Sequence, residues 1–317
     1  MGRYILRRLV QAMIVLLVMS FVIYSLIGLM PGDPIDIMIA SNPNVAPEAA
    51  AALRKLYGLD QPLMMRYWRW LTAALGGDFG YSRTHSQPVL HMLLPALGQT
   101  SKLMISSFVI SVILSFALGI MAARKPGGLA DGIISLLAFA GISVPVFWLA
   151  LMMILVFAVQ LHWFPASGIS NVGDGSLRDQ FMHLVMPVTT LALATTGGFT
   201  RFVRASMIEV LRLDLVRTAR AKGAGEGRVV LIHAFRNALI PVVTVMALSF
   251  GVLFNGALLT ETMFAQPGMG KMIYDAILGN DFNLALSGLL FATLVTLASN
   301  LAADLAYGWL DPRITLQ

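Results

Sequence analysis

Five histidines and sixteen carboxylates are the side chains equipped to hold a metal or move a proton in this sequence, which contains no cysteine. His85, His91, His162, His183 and His233 are scattered without ligand spacing, and each reads as an interfacial side chain rather than a metal ligand. The paired histidines of a zinc protease and the Gly-x-Ser-x-Gly elbow of a hydrolase are both missing. A phosphate-binding loop is missing too, because Gly270-Lys271 lacks the earlier glycine and the following Ser or Thr. Leu286-Ser287-Gly288 is reminiscent of a nucleotide-binding signature, but it sits inside an apolar run and the match is accidental. Asp304, beside Asn300 and Tyr307, is the one carboxylate placed at the inner end of such a run, directly after Ala303. An ionisable group at depth is a functional candidate by default. This close to the end of its run, Asp304 reads as a structural intramembrane charge paired with an arginine. No catalytic, metal-binding or cofactor-binding residue is assigned.

The densest chemistry is basic. Between residues 217 and 243, Arg217, Arg220, Lys222, Arg228, His233 and Arg236 flank a Gly-Ala-Gly-Glu-Gly turn, and Pro241 leads back into apolar sequence. Ile208, Leu211, Leu215 and Ala219 fall on one helical stripe, and Ile232, Phe235 and Leu239 form a second stripe with His233 and Asn237 turned away. Gly223 is a natural C-terminal stop with positive φ. Two short helices joined by a glycine turn make a rigid knob. A loop that merely carried positive charge would need neither two amphipathic faces nor a defined turn.

The elements that must hold this knob are set by composition. The 317 residues are 57% hydrophobic and 12% charged, and the mean hydropathy is +0.78, the composition of a membrane protein. About 20 helical residues cross a bilayer, and six uncharged runs approach or exceed that length: Leu9–Met30, Leu103–Ala123, Gly132–Leu161, His183–Thr200, Asn237–Thr260 and Asn283–Ala303. The third contains Pro145 and is expected to begin as a lead-in, becoming the membrane helix after Val146. The first follows Arg3, Arg7 and Arg8 without a small-x-small cleavage site and reads as a retained anchor. Lysine and arginine concentrate in alternate connections, so the positive-inside rule puts both termini in the cytoplasm. That bias accounts for the net charge of +6. A nucleic-acid partner has no support, since the basic residues lie beside membrane helices with no separate soluble domain. The expected architecture is all-α and polytopic: 1–30 as N-terminal segment and first span, 31–98 as an extracytoplasmic segment, and 99–317 as a five-helix core carrying the cytoplasmic hairpin 201–240.

Two outward segments stand out. Residues 31–98 open with the turn signature Pro31-Gly32-Asp33-Pro34 and continue with a helix from Pro47 and Glu48 to Gly58. A second amphipathic piece, Leu63 to Leu75, carries Tyr67, Trp68 and Trp70 and ends at Gly76-Gly77. Interfacial packing is the favoured reading for Trp68, while the length of the whole segment suits the outer mouth of a pathway better than an idle loop. In the last outward loop, Glu261 to Gly270, the run Pro267-Gly268-Met269-Gly270 makes a tight reversal before a short helix, Lys271 to Leu278. On these residues alone a simple surface turn is an equal reading.

With these features in place, the chain resembles the inner-membrane permease subunits of bacterial ABC importers, in the dipeptide/oligopeptide/nickel branch. The hairpin is similar to that branch's EAA loop, in Arg217-Thr218-Ala219-Arg220-Ala221-Lys222-Gly223, His233-Ala234-Phe235-Arg236-Asn237-Ala238-Leu239 and Pro241-Val242-Val243-Thr244. Further matching pieces run the length of the chain: Tyr4 to Leu9, Pro31 to Pro34, Gly58 to Leu63, Gly77 to Gly80, Pro145 to Trp148, Glu261-Thr262, Pro267 to Gly270 and Asp311 to Ile314. Lys102, in Thr100-Ser101-Lys102-Leu103, stands where the branch tends to carry glutamate.

The resemblance implies a non-catalytic subunit of the bacterial inner membrane, surrounded by lipid. Its implied partners are a second homologous permease, two cytosolic ATP-binding subunits and an extracytoplasmic substrate-binding protein. It implies that Arg217, Ala219, Arg220, Ala221, Lys222 and Gly223 couple to the ATPases, and it marks Glu261, Thr262, Pro267, Gly268 and Gly270 as an outer gate. The implied cargo is a peptide or peptide-like solute; nickel or another metal chelate, glutathione and oligosaccharide are alternatives within the branch. A self-contained carrier or channel is the competing class, and the absence of mid-membrane acids in the six runs counts against it.

Overall fold

A computed structural model of the chain describes residues 2–29, 55, 60–251 and 253–310. The expected turn at Pro31–Pro34 and the expected helix between Pro47 and Gly58 lie outside the described residues. Among those described there is no strand, only an isolated bridge between Tyr81 and Pro88. The helices are α1 (Gly2–Ile27), α2 (Leu63–Leu75), α3 (Val89–Arg124), α4 (Leu129–Ser143), α5 (Val146–Met153), α6 (Leu177–Leu211), α7 (Asp214–Ala221), α8 (Glu226–Arg228), α9 (Phe235–Phe250), α10 (Leu253–Met263), α11 (Met269–Leu278) and α12 (Phe282–Leu310). Two π-helical stretches, Ile154–Gln160 after α5 and Val229–Ala234 between α8 and α9, continue their neighbours.

Four helices carry continuous stretches long and apolar enough to cross a membrane, in Ile5–Ile27, Val89–Arg124, Leu177–Leu211 and Phe282–Leu305, and two bent pairs bring the total to as many as six. The pair Leu129–Ser143 and Val146–Gln160 bends by 102°. Pro145 explains the break: it bars helical backbone at the preceding residue, and Val144 is extended, with φ −83° and ψ 122°. The break falls where the sequence put it, but the part before it is a 15-residue helix and not a short lead-in. The second pair, Glu226–Leu239 and Pro241–Phe250, bends by 53°. There Pro241 removes one N–H from the ladder.

The helices run past the apolar stretches that announce them. At 1.5 Å per residue, α3 with 36 residues and α6 with 35 are each roughly 50 Å long, against about 30 Å of hydrocarbon. Ser176 starts α6 by accepting the Asp179 N–H at 3.2 Å, an N-cap placed seven residues before His183. His183 is buried, with Nδ1 2.9 Å from the Asp179 carbonyl.

The described residues belong to two compact units. In the unit of Gly98–Lys271 with Val295–Gln317, α6 is central and packs on α4 and α9. Arg204 on α6 pins α4 through a two-pronged ion pair with the buried Asp131, which also accepts the Gly127 N–H at 2.8 Å. In the unit of Gly2–Leu97 with Met272–Leu294, α2 lies against α1 as the aromatic spacing of Leu63–Leu75 suggests. Tyr67 is buried among Phe21, Tyr24 and Trp70, with its hydroxyl 2.8 Å from Ser20 Oγ. Trp68 stays exposed.

Candidate functional site

The basic hairpin folds as a knob, by a partly different route from the one its sequence suggested. Helix α6 stops at Leu211, and α7 starts afresh after Arg212 and Leu213. Val216 and Ala219 therefore face inward, and Leu215, expected on the buried stripe, is exposed. On the return, the π-helical stretch changes the helical phase. Val229, Val230, Ala234 and Ala238 take the buried face, and Ile232 is exposed. A single buried cluster joins Val216 and Ala219 of α7, Val230 and Ala234 of the return, and Val203, Met207 and Val210 of α6. It continues along α9 through Val242 and Met246.

The turn closes as expected. Gly223 has φ +81°, its N–H donates to the Arg220 carbonyl at 2.9 Å, and the Ala224 N–H donates to the Ala219 carbonyl at 3.1 Å. This is the Schellman pairing that a left-handed residue makes possible. Arg220 does not stand free beside it. Its Nε lies 2.7 Å from Glu226 Oε1 and its Nη2 3.2 Å from Oε2, a brace across the turn. Arg217 pairs more loosely with Asp214 at 3.3 Å, and Ala221 and Lys222 close α7 on its exposed side.

The second cluster lies at the far end of α10, about 29 residues along the chain from the start of α9, or some 40 Å at helical rise. Glu261 is 1% exposed. Its carboxylate receives the Thr100 hydroxyl and the backbone N–H groups of Gly270 and Lys271, the latter at 3.1 Å. Thr100 Oγ1 in turn accepts the Met269 N–H at 2.8 Å. A negative side chain from α10 thus satisfies the open N-terminus of α11, where unpaired N–H groups and the helix dipole favour an anion.

This accounts for the glycines. A Cβ on Gly268 would overlap the Glu261 carboxylate, and one on Gly270 would come within 2.6 Å of Leu258 Cα. Pro267 is exposed, and Thr262 turns its hydroxyl onto the Leu258 carbonyl at 2.9 Å. Ala265, with φ +49°, makes the same left-handed stop for α10 that Gly223 makes for α7. The short helix starts at Met269, two residues before its expected start.

Sequence reasoning missed three polar partners. Asp131 lies among residues with no motif of their own, and Thr100 lies in a stretch whose resemblance drew attention to Lys102 instead. Asp281 is fully buried at the start of α12 and holds residues 82–84 through the Ser82 hydroxyl at 2.5 Å, the Thr84 N–H at 3.0 Å and the Thr84 hydroxyl at 2.7 Å. Burial raises the Asp281 carboxyl, but the hydrogen bonds from Ser82, Thr84 and the Arg83 N–H outweigh it and hold the group below its ordinary value. Asp304 is half-buried on α12, one turn beyond Asn300. Lys102 is exposed on α3. Among the described residues, no three His, Cys, Asp or Glu side chains gather as a metal site would require.

Helices of membrane-spanning length and a polar hairpin folded onto them define an all-α, multi-pass membrane protein. The chain belongs to the family described as binding-protein-dependent transport system inner membrane component, which matches residues 115–316; the family's N-terminal component matches residues 1–115. It is therefore a permease component of an ABC transporter in the inner membrane. A probable peptide ABC transporter permease of Sinorhizobium fredii is 36% identical over 99% of both chains. A dipeptide transport system permease of Alkalihalophilus pseudofirmus is 36% identical over 98% of both. A glutathione transport system permease of Salmonella paratyphi A is 35% identical over 99% of both. Among solved structures, the inward-facing MetNI methionine ABC transporter aligns with a TM-score of 0.59 over 70% of this chain and 97% of its own, at 16% identity. That likeness is one of fold.

Proposed function

We propose that this chain is one of two permease subunits of an ATP-driven importer and lines, with its partner, a pathway for peptides or peptide-like solutes. Two cytosolic ATPases and an extracytoplasmic binding protein complete the assembly, with both termini of this chain in the cytoplasm. The relatives named for peptide, dipeptide and glutathione transport support this cargo, because glutathione is itself a small peptide. The observation that carries the reading is the unbroken buried cluster from Val216 through Ala234 to Met246. A knob tied to α6 and α9 by close packing cannot tilt alone, so force applied by an ATPase at Arg217–Gly223 reaches the spans. The loop Glu261–Gly270 then acts as the outer gate, with the Glu261–Thr100 lock fixing α11 against α10.

Co-purification with uptake tests the assignment. The chain reconstituted alone in liposomes is expected neither to hydrolyse ATP nor to accumulate peptide, and to gain ATP-driven uptake with the second permease and both ATPases present. ATP-driven uptake by the pure chain ends the subunit reading.

A further inference from the structure

Between α4 and α6 lies a groove of about 540 Å³ whose lining includes Ser135, Phe139, Gly198, Arg201, Phe202 and Arg204. Its two arginines are in different electrical states. Arg204 commits Nε and Nη2 to Asp131, so that pair is close to neutral. Arg201 is exposed and has no carboxylate partner among the described residues; its guanidinium carbon sits 4.4 Å from the centroid of the Phe139 ring. The stacking fixes the cation in the groove without discharging it.

The level of the groove follows from both helices that form it. On α6 the uncharged stretch from His183 ends at Thr200, and Arg201 is the next residue; on α4 the charged Asp131 immediately precedes the uncharged stretch from Gly132. The α6 boundary falls within the groove and the α4 boundary one turn before its lining residue Ser135, which sets the mouth of the groove where hydrocarbon gives way to headgroups. On the hydrocarbon side of Asp131, Ile133, Leu136, Leu137 and Phe139 are exposed. The site therefore offers one undischarged, planar, two-pronged donor beside an open apolar face. A phosphodiester with attached acyl chains has the matching form: the guanidinium pairs with phosphate oxygens while the chains cover α4.

We infer that this groove binds one anionic phospholipid, with Arg201 on its phosphate and its acyl chains along the exposed face of α4. The inference rests on the chain spanning a membrane and is independent of the solute transported.

The test is native mass spectrometry of the purified importer with added phosphatidylglycerol or phosphatidylcholine. The wild type is expected to keep one phosphatidylglycerol with at least about fivefold preference, the discrimination typical of one basic side chain at a membrane surface. Arg201→Gln should remove that preference, Phe139→Leu should weaken it in a groove of similar volume, and Arg212→Gln, about three turns further along, should leave it intact. Equal retention of both lipids, or unchanged preference in Arg201→Gln, overturns the inference. A single cysteine at Ala205 in this cysteine-free chain identifies the occupant. Protection by phosphatidylglycerol supports the site. Protection by the second permease without lipid, or by inorganic phosphate alone, overturns it.

Discussion

Gly223 is where the coupling proposal meets the structure most directly. Its φ of +81° lies in the left-handed region, which costs a residue with a β-carbon about 1–2 kcal/mol. An added Cβ at this position meets nothing within 4 Å, so the whole penalty within the chain comes from the backbone. A penalty of that size lowers the population of the closed turn by a factor of roughly 5–30. It cannot unfold the knob, because Val216, Ala219, Val230 and Ala234 remain buried on either side. Gly223→Glu, Gly223→Ala and Gly223→Asn therefore form a graded series. Asparagine tolerates the left-handed conformation and should retain the ATPases nearly as glycine does, alanine should lose part of them, and glutamate, which adds an acidic side chain to the docking face, should lose most. The assay is ATPase retention on the purified complex, read with uptake from the same preparation and with membrane insertion as control. Normal retention and normal uptake in Gly223→Glu refute the coupling role. Loss in Gly223→Asn equal to that in Gly223→Glu refutes the backbone argument and leaves contact at the surface as the cause.

Gly270→Ala should leave ATPase retention intact and reduce uptake, because its Cβ would press on the Leu258 backbone, an overpacking cost of about 1–3 kcal/mol that separates α11 from α10; unaltered uptake would make the loop a spacer and not a gate. Asp281, whose folded pKa is depressed, stabilises its clasp fully above the unfolded carboxylate value of about 3.9 and loses that contribution as pH falls through the lower folded value. The anisotropy of a fluorophore attached beforehand to a cysteine at the exposed Ser86 should then fall as pH drops below about 4, Asp281→Asn should flatten this dependence, and a pH response shared by both proteins removes Asp281 as its source.

What the sequence reveals and what it hides divide along one physical line. Apolar runs announce the spans, since hydrocarbon leaves the backbone no partner but its own helix, and Pro145 and Gly223 announce a break and a turn because their backbone limits are local. The ends of α3 and α6 are less legible, as a helix that has left the hydrocarbon no longer needs apolar residues to persist. The buried face of the hairpin depended on a π-helical stretch, and the residues of Val229–Ala234 carry no local mark of it. Least legible are the polar partners. Arg204 finds Asp131 across 73 positions, Thr100 finds Glu261 across 161, and Ser82 finds Asp281 across 199. The sequence marked Glu261, Gly268 and Gly270 as a motif but not the reason for it, which is the passage of one carboxylate close to two backbone segments.

The same contrast bears on how movement at the knob could reach the Glu261 loop. Each end is held firmly, by hydrophobic packing at the hairpin and by charge-assisted hydrogen bonds at Glu261. The path between them is not a continuous rod. Pro241 deletes one rung of the ladder beside a 53° bend, and α9 stops at Phe250, three residues before α10 begins at Leu253. Bending concentrates where hydrogen bonds are already missing. Under the proposed function, displacement of the knob would therefore be taken up first at Pro241; further along, an added Cβ on Gly251 would lie 3.5 to 3.8 Å from Asn300, Thr296 and Ser299 of α12. Under the same proposed function, a packed knob, a jointed connection and a hydrogen-bonded far turn would pass on a change of angle and not a simple push, the kind of change that opening and closing a pathway between two permeases would require.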